Sequence, residues 1–332
     1  MKVALLVAVL VLAACSSSSS PAARSSSTPP APGLNCRLPV TWAVQNGSSL
    51  DTKAGFVTFP GQTLREDPAA PARSTFYDRG LAKWLPTWRS SVSPDGRRYA
   101  YSEGNAYVGT EGKLHVVDVA TGVDRVIYRS SRVYGVIDFA AEGIYLTGAV
   151  PEGYPIGLWL EDPRGGTPRL ISSSVVSPAV GGGYAWGLDF NTADPSPGPG
   201  GIEGPKNRIL RFDLRSGVAT PWFYRPGASL YVLGFDSRGE PFVTADFVPS
   251  PADVNGQDSV EVWLITSGTS ATEVFEGSGI PVPRLAAVDS YGVWFDGSYL
   301  HDSRVWLYAN GSMQQVAAVS VDYFAVAGGC IP

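Results

Sequence analysis

A strand–turn–strand unit recurs along most of this chain, and a repeat of that size leaves few folds open. The clearest copy is VSPDGRRYAYSEG from Val92, followed after a gap by KLHVVDVATGVDRVIYRS from Lys113. It returns as NRILRFDLRSGVATPWFYR from Asn207, and more loosely as GLWLEDPRGGTPRLIS from Gly157, VEVWLITSGTSATEVFE from Val260 and RVWLYANGSMQQVAAV from Arg304. A unit this short cannot bury its own apolar face, so the copies must stack on one another. Between Asn35 and Pro332 short apolar or alternating runs are bounded by Gly, Pro, Asp and Ser, and no long window has helical spacing. An all-β domain of about 300 residues in one closed architecture is therefore expected.

The N-terminus has a different composition. Lys2 precedes an unbroken apolar run from Val3 to Leu12, too short to span a bilayer, which fits a cleaved export signal over residues 1–14. The run ends in Leu12-Ala13-Ala14-Cys15, which resembles the lipobox of bacterial lipoproteins. That resemblance covers the first 15 residues and implies that Cys15 becomes a lipidated N-terminus; the alternative is ordinary cleavage after Ala14. Several acyl chains would anchor the protein stably. Residues 15–34 are dominated by Ser, Pro and Ala and form an expected disordered tether, spanning roughly 25 Å on average. Residues 35–332 form the folded domain.

Net charge is −5 and no basic run occurs, so nucleic acid is not an expected partner. Of three cysteines, Cys36 and Cys330 stand at the two ends of the folded domain. In an exported protein they are expected to pair, the alternative being two free buried thiols.

Each repeat divides into four strands, a to d from the centre outwards. In the clearest copy these are Arg89 to Ser93, Arg98 to Ser102, Leu114 to Val119 and Arg125 to Arg129, with Pro94-Asp95-Gly96 and Ala120-Thr121-Gly122 at the turns. Four further units follow, beginning near Tyr134, Ser177, Leu230 and Arg284. A last strand a, Tyr323 to Ala327, lacks partners in sequence, whereas Leu38 to Val44, Gly55 to Phe59 and Phe76 to Leu85 supply outer strands without an a. Joining the two ends completes a sixth blade and brings Cys36 near Cys330. VSPDGRRYAY resembles the strand a–turn–strand b motif of TolB-like, WD-repeat-like β-propellers, and VVDVATG resembles the strand c ending common in propeller repeats. The resemblance implies a single propeller of six four-stranded blades; seven would require a further unit hidden between Leu38 and Leu85. It implies no particular activity, because this fold hosts many.

Aligning strand c places His115, Trp159, Leu210, Trp263 and Trp306 at one repeat position. His115 is thereby expected to pack between blades rather than act as a base or ligand. Asp118 and Asp213 are expected turn caps. His301 stands between strands b and c of the fifth unit. There is no G-x-S-x-G, H-E-x-x-H, C-x-x-C or P-loop, and the histidines are too far apart in register for a His-rich metal cluster, so neither cofactor nor metal is expected; a calcium site of Asp, Glu and backbone oxygens stays open. The a–b and c–d turns are short, whereas the b–c connections are long and varied. These emerge on one face and gather acidic and aromatic residues: Tyr107, Glu152, Tyr154, Asp246, Asp258, Tyr299, His301 and Asp302. Long loops on a rigid scaffold commonly carry binding. The expected function is a monomeric, lipid-anchored module on the extracytoplasmic side of a bacterial membrane, binding another envelope protein or a glycan through this face. The rival reading is an exported hydrolase or lyase using loop carboxylates and His301; the third is a purely structural envelope protein.

Overall fold

A computed structural model describes residues 33–46, 49–105, 109–148, 155–189, 206–247, 259–278, 281–299 and 301–332. Strands run along almost all of them. The first are β1 (Arg37–Asn46), β2 (Ser49–Thr58), β3 (Thr63–Glu66), β4 (Phe76–Asp78) and β5 (Lys83–Leu85). The first full repeat has a 3-10 turn (Arg89–Ser91) and then β6 (Arg98–Glu103), β7 (Gly112–Asp118) and β8 (Asp124–Ser130). β9 (Tyr134–Ala140), β10 (Gly143–Gly148), β11 (Ile156–Glu161), β12 (Arg169–Gly181), β13 (Tyr184–Asp189), β14 (Arg208–Asp213) and β15 (Ala219–Tyr224) make up one seven-stranded sheet. Two four-stranded sheets follow: β16 (Ser229–Phe235) to β19 (Ser270–Ser278), through β17 (Pro241–Phe247) and β18 (Ser259–Ser267); and β20 (Arg284–Asp289) to β23 (Ser312–Val319), through β21 (Gly292–Tyr299) and β22 (Asp302–Ala309). The last strand, β24 (Asp322–Val326), pairs antiparallel with β1, giving the order β24-β1-β2-β3.

The two chain ends thus share one sheet. Cys36 and Cys330 form a disulfide with Cα atoms 5.8 Å apart. The C-terminal segment is also fastened to the neighbouring sheet by one buried and one half-buried carboxylate. Asp296 on β21 accepts the Val326 N–H at 2.7 Å and a fork from Arg284, and Asp289 accepts the Cys330 N–H at 2.6 Å and the Trp294 indole N–H at 2.7 Å.

The strand pattern departs from the sequence reading in four places. Phe76 to Leu85 does not complete the shared sheet: β3 takes that outer place, and β4–β5 is a separate hairpin. The hairpin is wedged in the seam, with Trp84 and Tyr77 packed against Ala54, Phe56 and Ala327 on one side and Phe76 and Leu85 against Val92 and Val119 on the other. Arg89 to Ser93 is not a strand; only Val92 makes a bridge, to Tyr99. Strand d of the second repeat and strand a of the third are one strand, β12, whose pairing shifts at Val176/Ala179 as it passes from one repeat to the next. The fifth b–c connection is not a long loop, because Tyr299 pairs with Asp302.

The repeat register itself is regular. The c–d pairing shifts by a bulge at Leu114/His115, Leu158/Trp159, Ile209/Leu210, Val262/Trp263 and Val305/Trp306. These are the aligned strand c positions, so these five repeats bend at the same place, as a bulge makes a strand do, whereas β2–β3 of the shared sheet pairs without a shift. Apolar clusters then fill each seam between blades, as with Ile144, Leu146 and Phe139 against Leu114 and Val116. Successive inner elements also touch in order: the 3-10 turn with β9, then β12, β16, β20 and β24.

The disulfide closes a loop of 294 residues, for which chain entropy predicts a stabilisation of about 5 kcal/mol. The double variant Cys36→Ser/Cys330→Ser is expected to keep the far-UV circular dichroism of the parent, because β24 retains its other fastenings. Its denaturant midpoint is expected to fall substantially, by up to that amount when converted to free energy.

Candidate functional site

The described part of the b–c face centres on the corner where the fifth repeat meets the shared sheet. The β21–β22 hairpin brings Tyr299 and Asp302 side by side, with His301 between them. His301 Nδ1 lies 2.9 Å from Asp322 Oδ1, at the start of β24. The next residue, Tyr323, has φ +50 and is 71% exposed. A bulky side chain in left-handed backbone is a strained arrangement. Ser303 Oγ donates to the Val321 carbonyl at 2.7 Å, and the Phe324 N–H donates to Ser298 Oγ at 3.2 Å, which fixes the segment that presents it. Tyr299 is also exposed, at 49%. Asp302 is taken by Arg304 in a two-bond fork of 3.0 and 2.6 Å.

Of the residues anticipated for this face, Tyr299, His301 and Asp302 come together. Asp246 lies elsewhere, on β17 of the preceding blade, paired with Val260. Tyr107, Glu152, Tyr154 and Asp258, with Cys15, lie outside the described residues. Asp322 and Tyr323 were not anticipated, since they look like ordinary residues of a C-terminal strand. Only the closure of the sheet puts them beside His301.

The corner suits contact better than acid–base chemistry. His301 is 76% exposed, its one polar partner among the described residues is Asp322, and Asp302 is committed to Arg304. General acid–base work needs two free groups converging on one substrate. Among the described residues no cluster of His, Cys, Asp and Glu could hold a metal ion.

His115 is buried, but its contacts lie within its own blade rather than between blades: it stacks on Tyr101 of the adjacent strand with ring centroids 4.4 Å apart. Its Nδ1 lies 3.0 Å from Asp124 Oδ1 and its Nε2 3.4 Å from Glu103 Oε2, while Tyr101 donates to Asp124 Oδ2 at 2.6 Å. Burial pushes the Asp124 carboxyl up, but the hydrogen bonds from Tyr101 and His115 outweigh it and leave it low. Asp118 and Asp213 cap their turns as expected, accepting from the backbone of Thr121 and Ser216 respectively.

Two carboxyls behave differently. Burial raises Asp138 to about 6 despite the charge of Arg89. Glu161, 1% exposed, is raised to about 7 by burial and then by the charge of Asp162, and neither of its oxygens has a hydrogen-bond partner among the described residues.

No family model matches the chain, and no curated protein matches it in sequence. Among solved structures, a protein from Lactobacillus plantarum superposes with TM-score 0.51 at 11% identity, over 87% of this chain and 98% of that one. A prolyl endopeptidase structure gives 0.50 at 11% identity, over 86% of this chain and 50% of that one. TolB from Acinetobacter baumannii gives 0.46 at 12% identity, over 88% and 67% respectively. The fold is that of a β-propeller. At such identities the likeness reaches no further than the fold.

Glu161 gives a pH test. Its folded-state pKa of about 7 lies above the ordinary glutamate value of 4.5, so the protonated form is the one that folding favours. Its penalty is absent below the unfolded pKa, grows as pH rises between the two values, and is complete above the folded one. Glu161→Gln is expected to be more stable than the parent at pH 8, by roughly 1–3 kcal/mol. In urea titrations that advantage should shrink steadily on acidification through this window.

Proposed function

We propose that this protein is an extracytoplasmic binding module, held at a bacterial membrane by lipid on Cys15 and a flexible tether, whose propeller presents the Tyr299–Tyr323 corner to another envelope protein. The observation that carries this reading is Tyr323: a large aromatic side chain, exposed on strained backbone that neighbouring hydrogen bonds hold in place. Strain of that kind is kept where the surroundings impose it, and it clusters at functional sites. Exposed tyrosines beside a His–Asp pair suit a protein interface, where aromatic anchors dominate binding. The disulfide supports export, because such bonds persist outside the cytoplasm. The apolar run and lipobox-like residues up to Cys15 support the anchor. We read the ring as six blades in a monomer, the first with a 3-10 turn in place of its inner strand and the β4–β5 hairpin wedged in the closing seam.

The test is capture from an envelope extract by the immobilised folded domain. A triple variant, Tyr299→Ala/His301→Ala/Tyr323→Ala, should keep the parent's circular dichroism and lose a partner that the parent retains. If the variant retains every partner that the parent captures, the corner is not the interface and the reading fails.

A further inference from the structure

A cavity of about 300 Å³ lies on the seam between the β16–β19 and β20–β23 blades, lined by Val260, Phe275, Gly277, Arg304, Trp306 and Gln315 among others. The repeat explains why it is there. One seam earlier, Phe223 of β15 packs on Trp263 with ring centroids 5.8 Å apart. Two residues after Phe223, Arg225 lays its guanidinium 5.3 Å from the Trp263 ring and forks onto Glu261, which stands two residues before that Trp. At the first seam, too, an arginine from the preceding blade, Arg132, covers a strand c Trp, 5.2 Å from the ring of Trp159.

The seam with the cavity has the same aromatic pair, Phe275 and Trp306 at 6.0 Å. Phe275 stands opposite Val262 as Phe223 stands opposite Ile209, each just before the bulge. The counterpart of Arg225 is then Gly277, which carries no side chain and lies so close under the Phe275 ring that a Cβ there would meet it at 2.9 Å. The counterpart of Glu261 is Arg304, two residues before Trp306. The covering cation is missing, and the charge on the opposite wall is reversed.

Three features of that wall select an occupant. Arg304 gives its Nε and one Nη2 hydrogen to Asp302, which orients its guanidinium. Its remaining N–H groups have no partner among the described residues, and a guanidinium has five such donors in a fixed plane. Gln315, directly across from Trp306, adds an amide that both donates and accepts. The aromatic pair supplies an apolar side. A basic side chain would meet the guanidinium of Arg304. An anion would meet Glu276, which also lines the cavity, and the exposed carboxylate of Asp302 beside Arg304. A wholly apolar group would desolvate Arg304 and Gln315 without replacing their water. An uncharged ring with hydroxyls on its edge and C–H groups on its face meets all three conditions.

We infer that this inter-blade cavity binds a neutral saccharide ring, packed against Phe275 and Trp306 and hydrogen-bonded by Arg304 and Gln315. This rests on the reading of the protein as a binding module, and adds a second, separate site to it. The volume falls at the lower end of small-ligand pockets, suited to one or two rings.

The test titrates the whole folded domain with cellobiose and diacetylchitobiose, with glucuronate and arginine methyl ester as charged controls. Saturation-transfer NMR and tryptophan fluorescence report binding. Saturable binding of at least one neutral sugar, in the millimolar range or tighter, is expected, with neither charged probe competing. Gly277→Arg, whose Cβ would displace the Phe275 ring and whose side chain would enter the cavity, should abolish it. Gln315→Ala, at an exposed position that leaves the core untouched, should weaken it at least tenfold. Binding of neither sugar, equal or tighter binding of a charged probe, or full binding by both variants overturns the inference. Sugar binding unaffected by the Tyr299/His301/Tyr323 substitutions, with partner capture lost, keeps the two sites distinct. Loss of sugar binding alone leaves the protein interface standing.

Discussion

Everything in this molecule depends on how the end of the chain is fastened to its beginning. A stack of repeats exposes an unpaired sheet edge and an apolar face at each end. Here β24 crosses the gap and pairs with β1, so the shared sheet has strands from both termini. Strand pairing alone would be weak fastening for five residues, and two carboxylates reinforce it. Asp296 is 4% exposed, and burial pushes its carboxyl up in spite of Arg284. A group so costly to bury is tolerable only with its oxygens hydrogen-bonded, and one of those bonds comes from the backbone of β24. Asp289 does the same for the Cys330 N–H, and the disulfide then ties Cys330 to Cys36.

Closure also decides what faces solvent at the candidate site. Asp322 and Tyr323 begin the strand that closes the ring, and His301 belongs to the blade beside it. The corner therefore exists only when the ring is shut. The cavity beside Trp306 depends on the other regularity, the bulge that repeats at one strand c position and carries an aromatic pair into each of two successive seams. Gly277, in the place held by arginine one seam earlier, is among the residues that line it.

The fold was legible because it is periodic. Turn residues and the strand c alignment located the blades, and the leftover strand at one end matched the deficit at the other. Errors arose where periodicity fails. Arg89 to Ser93 has the composition of a strand, but only Val92 finds a bridging partner. Leu170 to Val180 reads as two strands because its pairing changes midway, yet the backbone stays extended throughout. Phe76 to Leu85 alternates suitably for an outer strand, but its aromatic residues fill the closing seam instead. The site was less legible. Tyr299, His301 and Asp302 were visible as a sequence cluster, whereas Asp322 and Tyr323 join them only through closure, and the vacancy at Gly277 appears only against the register of its neighbour.

The most direct test of this account is native-state hydrogen exchange at the Val326 and Cys330 amides. Both donate to buried or half-buried carboxylates of the adjoining blade. If the fastening governs the ring, they should exchange only through global unfolding, with protection equal to that of core amides such as Leu146 and Val243. Exchange of these two amides through a local opening well below the global free energy would show that the ring does not depend on its closing strand, and would contradict the account.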